Sequence, residues 1–342
     1  MSYIGINNAA NNTVNTTVGR KNYLINGNFD IWQRSTSQSA TINGYGCDDR
    51  WINAFVGSTR TCSQQLHTLG QTDIPSNPKY FSRTIITAVG GTNSQVVKYQ
   101  KIENGCRLLS GKTVTLSFYA KADATKNLVV EFSQIFGSGG SPSARVDNIG
   151  TTTCNLTTTW QKFTVTVVIP SILGKSLGTA NDDVLLTTFW FDAGSTLDSR
   201  TNALGHQTGT FDISQVQLEE GTTATSFDYR PIGMELFLCQ RYYEESYTGT
   251  AQKQGTYTNF AGTPPKYTEF KVVKRITPTL TVYTSNTKAT PGIIAQLLAG
   301  PSTVTTGYTL AADTNSFNLQ GGAMFSTVGD YAFGYITADA EL

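Results

Sequence analysis

Residues 211–243 read FDISQVQLEEGTTATSFDYRPIGMELFLCQRYY, and this stretch decides how the chain is organised. Asp212 to Leu218 has a strand pattern, which Glu219, Glu220 and Gly221 break. Phe211 and Ile213 share one parity, whereas Val216 and Leu218 share the other. A single register cannot bury all four, so the pattern predicts a β-bulge near Ser214–Gln215. Downstream, Pro231 is placed to open a helix, where its missing N–H would be unpaired in any case. Met234, Phe237, Leu238 and Tyr242 then fall at i, i+3, i+4 and i+8, the spacing of a helical apolar stripe. A helix of about three turns is marginal alone. Its stripe therefore packs either on the chain's own sheet or against the same helix of another subunit.

Working outward, residues 22–230 read as one large antiparallel β domain. Val114, Leu116, Phe118 and Ala120 alternate with polar positions, as on a half-buried strand. Leu128, Val130, Phe132 and Phe136 form a second such face, and Phe163, Val165, Val167 and Ile169 a third, stopped by Pro170. Val184 to Phe191 is apolar on both parities, which suits a central strand covered on each side. Asn26-Gly27, Asn43-Gly44 and Asn104-Gly105 supply tight-turn chemistry. Many strands of this length with such turns predict an all-β fold, a large jelly-roll-like antiparallel sandwich. The short helix at 231–243 leads into a smaller C-terminal β-domain, 244–342, with four to six short strands and helical potential at Pro291–Leu298. Residues 1–21 hold too few apolar side chains to build a core and read as an N-terminal arm.

Composition narrows the function. The chain has 342 residues, 14% of them charged, with a net charge of +1. Nucleic-acid binders concentrate basic residues on one face, so no nucleic-acid partner is expected. No apolar run approaches the length of a membrane span, so no membrane insertion is expected. The N-terminus lacks the basic and apolar regions of a signal peptide. Five widely spaced cysteines and only two histidines make a zinc site improbable and predict reduced, mostly buried thiols.

Catalysis finds little support. His67 and His206 lie far apart with no nucleophile motif beside them, and GSGGS at 137–141 lacks the residues of a phosphate loop. Glycosidic cleavage needs two carboxylates about 5–9 Å apart. The pairs on offer are Asp48-Asp49, Asp182-Asp183 and Glu219-Glu220, and adjacent strand residues point to opposite sides. Sugar recognition would instead rest on aromatics. Trp32, Trp51, Trp160 and Trp190 lie in sandwich-like motifs and are mostly expected in the core. The polar, Tyr-rich segment 241–260 has the look of an adaptable contact surface, with Tyr243, Tyr247 and Tyr257 as candidate glycan contacts. The same tyrosines could instead pack the junction between domains.

Several blocks together resemble the tail-fibre and receptor-binding proteins of tailed bacteriophages. They are NYLINGNFDIWQRSTS (22–37), GYGCDDRW (44–51), RLLSGKTVTLSFYAKAD (107–123), FGSGGSPSA (136–144), TTWQKFTVTVVIPSILGKSLGT (158–179), residues 211–243 and ITADAEL (336–342). The chain departs from the family pattern in having WQRS in place of WQRG, and Cys47 where a small residue is usual. The resemblance implies a virion structural protein, often a homotrimer, that displays a carbohydrate-binding-like sandwich and attaches to host surface glycans. On that reading the arm 1–21 docks onto other virion proteins, and Met234, Phe237 and Leu238 meet near a threefold axis. Related jelly rolls often hold a structural calcium between an NG-x-F-acid strand and an acidic last strand; the matching residues are Asp30 and Asp212. A head fibre or capsid decoration protein, or a carbohydrate-binding module of a glycan-degrading enzyme, would use similar domains.

Overall fold

The computed structural model describes residues 21–245, 255–257, 267–283, 288, 291, 293–296, 303–305, 308–321 and 331–342. Eleven strands build the larger unit: β1 (Ser37–Gln38), β2 (Ile52–Val56), β3 (Thr59–Leu66), β4 (Tyr80–Ala88), β5 (Gln95–Glu103), β6 (Thr113–Ala122), β7 (Lys126–Ile135), β8 (Val146–Leu156), β9 (Gln161–Val168), β10 (Val184–Ala193) and β11 (Gly209–Glu220). They pair antiparallel in two sheets, ordered β1-β3-β4-β11-β6-β9 and β2-β5-β10-β7-β8. The sheets enclose one core, to which Val114, Leu116, Phe118 and Ala120 of β6 contribute alongside Leu128, Val130 and Phe132 of β7 and Leu185, Phe189 and Phe191 of β10. The period-2 faces read from the sequence are the inward faces. All ten residues of β10 are buried, because Trp190 and its neighbours pack under Leu197 and Leu204 on the sheet's far side. Two one-turn helices, α1 (Gly105–Leu108) and α2 (Asp198–Thr201), cap connections. No helix among the described residues is long and apolar enough to cross a membrane.

The predicted bulge is present. The pairing of β11 with β6 shifts register between Ser214 and Gln217, and Gln215 takes φ +48°. That one-residue slip brings Phe211, Ile213, Val216 and Leu218 all into the core. The slip leaves ladder groups to be satisfied, and residues 22–27 do it. Val216 N donates to Gly27 O (2.8 Å), Asn22 Nδ2 donates to Val216 O (3.1 Å), and Leu218 N donates to Asn22 Oδ1 (3.0 Å). A Cβ on Gly27 would meet Val216 O at 2.0 Å, so only glycine lets the two backbones approach this closely.

The helix α3 (Ile232–Gln240) forms one residue later than expected, with Pro231 as its N-cap. Its apolar stripe divides. Leu238 joins Cys239, Tyr242, Ile25 and Ile31 in a small cluster against the sandwich, whereas Met234 and Phe237 remain 53% and 51% exposed. Leu238 is thus committed within the chain and does not share a face with the other two.

Beyond α3 come β12 (Tyr243–Glu245), β13 (Gly255–Tyr257), β14 (Tyr267–Glu269), β15 (Thr279–Tyr283), β16 (Ile293–Gln296), β17 (Thr303–Thr305), β18 (Tyr308–Ala312), β19 (Ser316–Gly321) and β20 (Tyr331–Asp339). β20 is the hub: β12, β13, β15 and β16 all pair with it. The helical potential at Pro291–Leu298 is overridden. Ile293 and Ile294 are β-branched, and β16 sits between β20 and β17.

Candidate functional site

The outer face of the six-stranded sheet carries a strip of half-buried aromatic and charged groups. With the even positions of β6 in the core, Ser117, Tyr119 and Lys121 point outward. Register then sets their neighbours: Tyr119 lies opposite Lys162 on β9 and Ser214 on β11, and Lys121 lies opposite Asp212, itself opposite Arg83 on β4. At one end His67, Phe81 and Trp160 form a cluster with ring centroids 4.8–5.2 Å apart, Phe81 meeting Trp160 edge-on at 82°. Lys121 Nζ stands 5.1 Å over the Trp160 ring, and Arg83 Cζ stands 5.5 Å over Phe81. Trp160, His67 and Tyr119 are half-buried. At the other end a shallow pocket of about 90 Å³ is floored by Ser117, Tyr119, Lys162 and Gln215 and walled by Phe227.

The polar groups of the strip are held in place. Arg83 donates to both oxygens of Asp212 (2.7 and 2.8 Å), and Lys121 Nζ lies 3.9 Å from the same carboxylate. Burial, with Lys121 adding to it, pulls the His67 imidazole down to about 4, so it is neutral at pH 7. Its Nε2 lies 3.1 Å from Ser214 Oγ, a spacing that also suits a catalytic base and nucleophile. Ser214 is fully buried, however, so its hydroxyl cannot reach a substrate. The strip can stack an apolar ring face on aromatic carbon and bond hydroxyls through Lys121, Arg83, Tyr119 and Lys162.

The tyrosines singled out by sequence do not lie here. Tyr243 is buried, its ring under the Arg34 guanidinium (3.6 Å) and its hydroxyl donating to Glu245 Oε1 (2.7 Å), so it cannot be a surface contact. Tyr247 lies outside the described residues, and Tyr257 is described only as backbone of β13. What holds Tyr243 is a buried clasp made from the most conspicuous motifs. Arg34 pairs with Asp339 and Glu341 (3.2 and 3.3 Å), and Arg50 pairs with Glu341 while stacking on Tyr242 at 3.4 Å. Asp49 accepts from Gln33 N (2.9 Å), and burial pushes its carboxyl up to about 6. The clasp ties the start of the sandwich to the end of β20. Ala340 and the Glu341 side chain are therefore buried.

The calcium reading meets a similar obstacle. Both oxygens of Asp212 are taken by Arg83, and a guanidinium excludes a hard cation that needs six or more oxygens. Asp30 instead accepts from Asn28 Nδ2 (2.8 Å), and burial raises its pKa. The adjacent carboxylate pairs are also committed. Asp183 pairs with Arg107 (2.9 Å), Asp182 accepts from Ser138, Glu219 accepts from Thr225, and Glu220 pairs with Lys112 (2.7 Å). All five cysteines are free and buried. Cys47, Asp48 and Cys62 form the one group of three metal-ligating side chains among the described residues. The ammonium of Lys98, which pairs with Asp48 and reaches Asn53 Oδ1 (2.5 Å) and Cys62 Sγ (3.6 Å), already occupies the cation position.

Neither a protein-family model nor a curated protein sequence matches the chain. Among solved structures, it is similar to the CBM22-1 xylan-binding domain of Xyn10C from Paenibacillus barcinonensis, at 13% identity and a TM-score of 0.30, covering 55% of this chain and 94% of that one. A family 11 carbohydrate-binding module from Clostridium thermocellum, in complex with a mixed-linked tetrasaccharide, matches at 10% identity and 0.30, over 51% and 91%. The N-terminal cellulose-binding domain of a Cellulomonas fimi glucanase matches at 14% identity and 0.29, over 48% and 90%.

Proposed function

We propose that this chain is a non-catalytic glycan-binding protein and that the outer face of its six-stranded sheet is the binding face. The observation that carries the reading is Trp160, half-buried beside His67 and Phe81, with Lys121 and Arg83 fixed around it. An aromatic surface bordered by oriented donors suits a pyranose, whose ring has an apolar face and a rim of hydroxyls. A single shallow site of this kind would bind in the millimolar range, about −4 kcal/mol. Titration of neutral oligosaccharides identified on a glycan array, against the wild type and Trp160→Ala, tests it. Undiminished binding by a folded Trp160→Ala variant places the site elsewhere.

A second reading sets this module in a larger particle, as the resemblance to phage receptor-binding proteins implies. It is favoured by α3, where Ile232, Met234 and Phe237 are 60%, 53% and 51% exposed and could pack around a threefold axis. In such a homotrimer several weak sites would act together, raising avidity by about 10²–10⁴. The arm 1–21, outside the described residues, would dock it to other virion proteins. Sedimentation of the intact protein and imaging of purified virions test this setting. Absence of the chain from virions would overturn it without touching the glycan site.

A further inference from the structure

A second cleft lies where the sandwich meets the C-terminal unit, and it shares no lining residue with the strip. Its walls are Glu103, Asn104 and Arg107 from the β5–α1 corner, Ala180 and Asn181 from the loop before β10, and Arg275 and Ile276 from the segment before β15. Its volume is about 630 Å³, within the range that holds small ligands. We infer that this cleft binds the anionic group of an acidic sugar, a carboxylate or phosphate carried on a saccharide.

The charge arithmetic of the walls supports an anion. Glu103 is neutralised by Arg241 (3.0 Å), with the Tyr242 hydroxyl donating to it (2.6 Å), and the Arg107 charge is met by buried Asp183. Arg275 is different. Its Nε and Nη2 donate to the carbonyl oxygens of Ala340 and Glu341 (both 3.1 Å), and no carboxylate lies within ion-pair distance of it among the described residues. The guanidinium is thus rigidly aimed and touches no carboxylate directly, with Glu103 and Asp182 farther off within its field, and a planar donor held this way selects a carboxylate or phosphate. Arg107 is oriented in the same way, Nη2 donating to Asn181 Oδ1 (3.3 Å), and its side chain is 41% exposed. Leu108 and Ile276, 42% and 45% exposed, supply apolar surface at the cleft's edge for the sugar ring. Asn104 and Asn181 sit at φ +55° and +52°, left-handed positions that fix where their amides emerge.

This site extends the glycan-binding reading, on which its sugar specificity rests, but its residues are separate from the strip. The test is titration calorimetry of the full chain with digalacturonate, neutral digalactose and inorganic phosphate. Digalacturonate should bind at least tenfold more tightly than digalactose, and Arg275→Gln should remove that preference. Ile276→Glu, an exposed change that leaves packing alone, should remove it too by placing an anion in the cleft. Trp160→Ala should leave the preference intact, which separates this site's failure from failure of the strip. Equal binding of the two disaccharides, or an unchanged preference in both cleft variants, overturns the proposal. Phosphate alone binding as tightly as digalacturonate overturns the saccharide part.

Discussion

Two places in this molecule set a cation over an aromatic ring. In the clasp, Arg50 stacks on Tyr242 at 3.4 Å, and both are buried. On the strip, Lys121 stands 5.1 Å over Trp160, and both are half in water. The chemistry is the same, but the burial differs, and burial decides the role. A desolvated guanidinium needs a counter-charge, so Arg50 and Arg34 are consumed by Glu341, Asp339 and the tyrosines, with only Arg50 Nε and Arg34 Nη1 left without a hydrogen bond. A half-solvated lysine and tryptophan keep surface for something else. Conspicuous residues can therefore be architecture, while unremarkable strand positions face the solvent.

The comparison breaks most easily at the clasp. Arg50→Met removes one partner of a buried pair and leaves Glu341 only its 3.3 Å contact with Arg34, which costs about 3 kcal/mol, the low end for breaking a buried pair. Urea denaturation should show a loss of that size, with glycan affinity of the remaining folded protein unchanged. A loss under about 1 kcal/mol, the range of a surface pair, would put the clasp and the strip in one class.

At the strip the effects should reverse. Trp160→Ala should weaken neutral-oligosaccharide binding about tenfold, which is about 1.4 kcal/mol. The stability cost should be near the value of an aromatic pair, about 0.5–1.5 kcal/mol. Affinity electrophoresis and thermal melts of the same samples separate the two. A variant that melts far lower but binds normally would make Trp160 a core residue.

Acid should act on the two regions with opposite sign. The His67 imidazole titrates near 4 in the folded chain and near 6.5 when unfolded, so between those values the unfolded state binds more protons. Stability from this group is present above pH 6.5 and is lost as pH falls toward 4. Asp49 titrates near 6 when folded and near 3.8 when unfolded, so the folded state binds more protons in that window. Its contribution grows as pH falls from 6 toward 4. His67→Gln should therefore flatten the acid-side loss in denaturation midpoints between pH 7 and 4.5, and Asp49→Asn should deepen it. The same direction in both variants would refute this assignment.

Much of the fold was legible because burial in a sandwich is a period-2 property, and the inward faces of β6, β7 and β9 follow from it. The β11 bulge was legible too, since Phe211 and Ile213 conflict in parity with Val216 and Leu218. The partner that stabilises it was not, because Asn22 and Gly27 lie almost two hundred residues away and only topology joins them. The strip was missed for a related reason. Phe81 and Lys121 are ordinary strand residues, His67 looked solitary, and Trp160 read as core. Register across β4, β11, β6 and β9 gathers them. The tyrosine reading erred at Tyr243 because a polar, aromatic segment looks alike whether it meets a ligand or a buried arginine.

The smallest expected effect on stability lies on α3, and it tests whether a third region resembles the strip or the clasp. Met234 and Phe237 are about half exposed in the single chain, so Met234→Ser with Phe237→Ser should change stability by no more than about 0.5 kcal/mol. If three copies of the helix meet, each buried side chain adds roughly 1.5–3 kcal/mol to assembly. The same double variant should then sediment as a monomer where the wild type sediments as a trimer. Leu238→Ala makes the contrast, because Leu238 packs with Ile25, Ile31 and Tyr242 inside the chain. It should lower stability without first dissociating the assembly. A wild type that is monomeric at micromolar concentration leaves the exposed face of α3 without a copy of itself as partner.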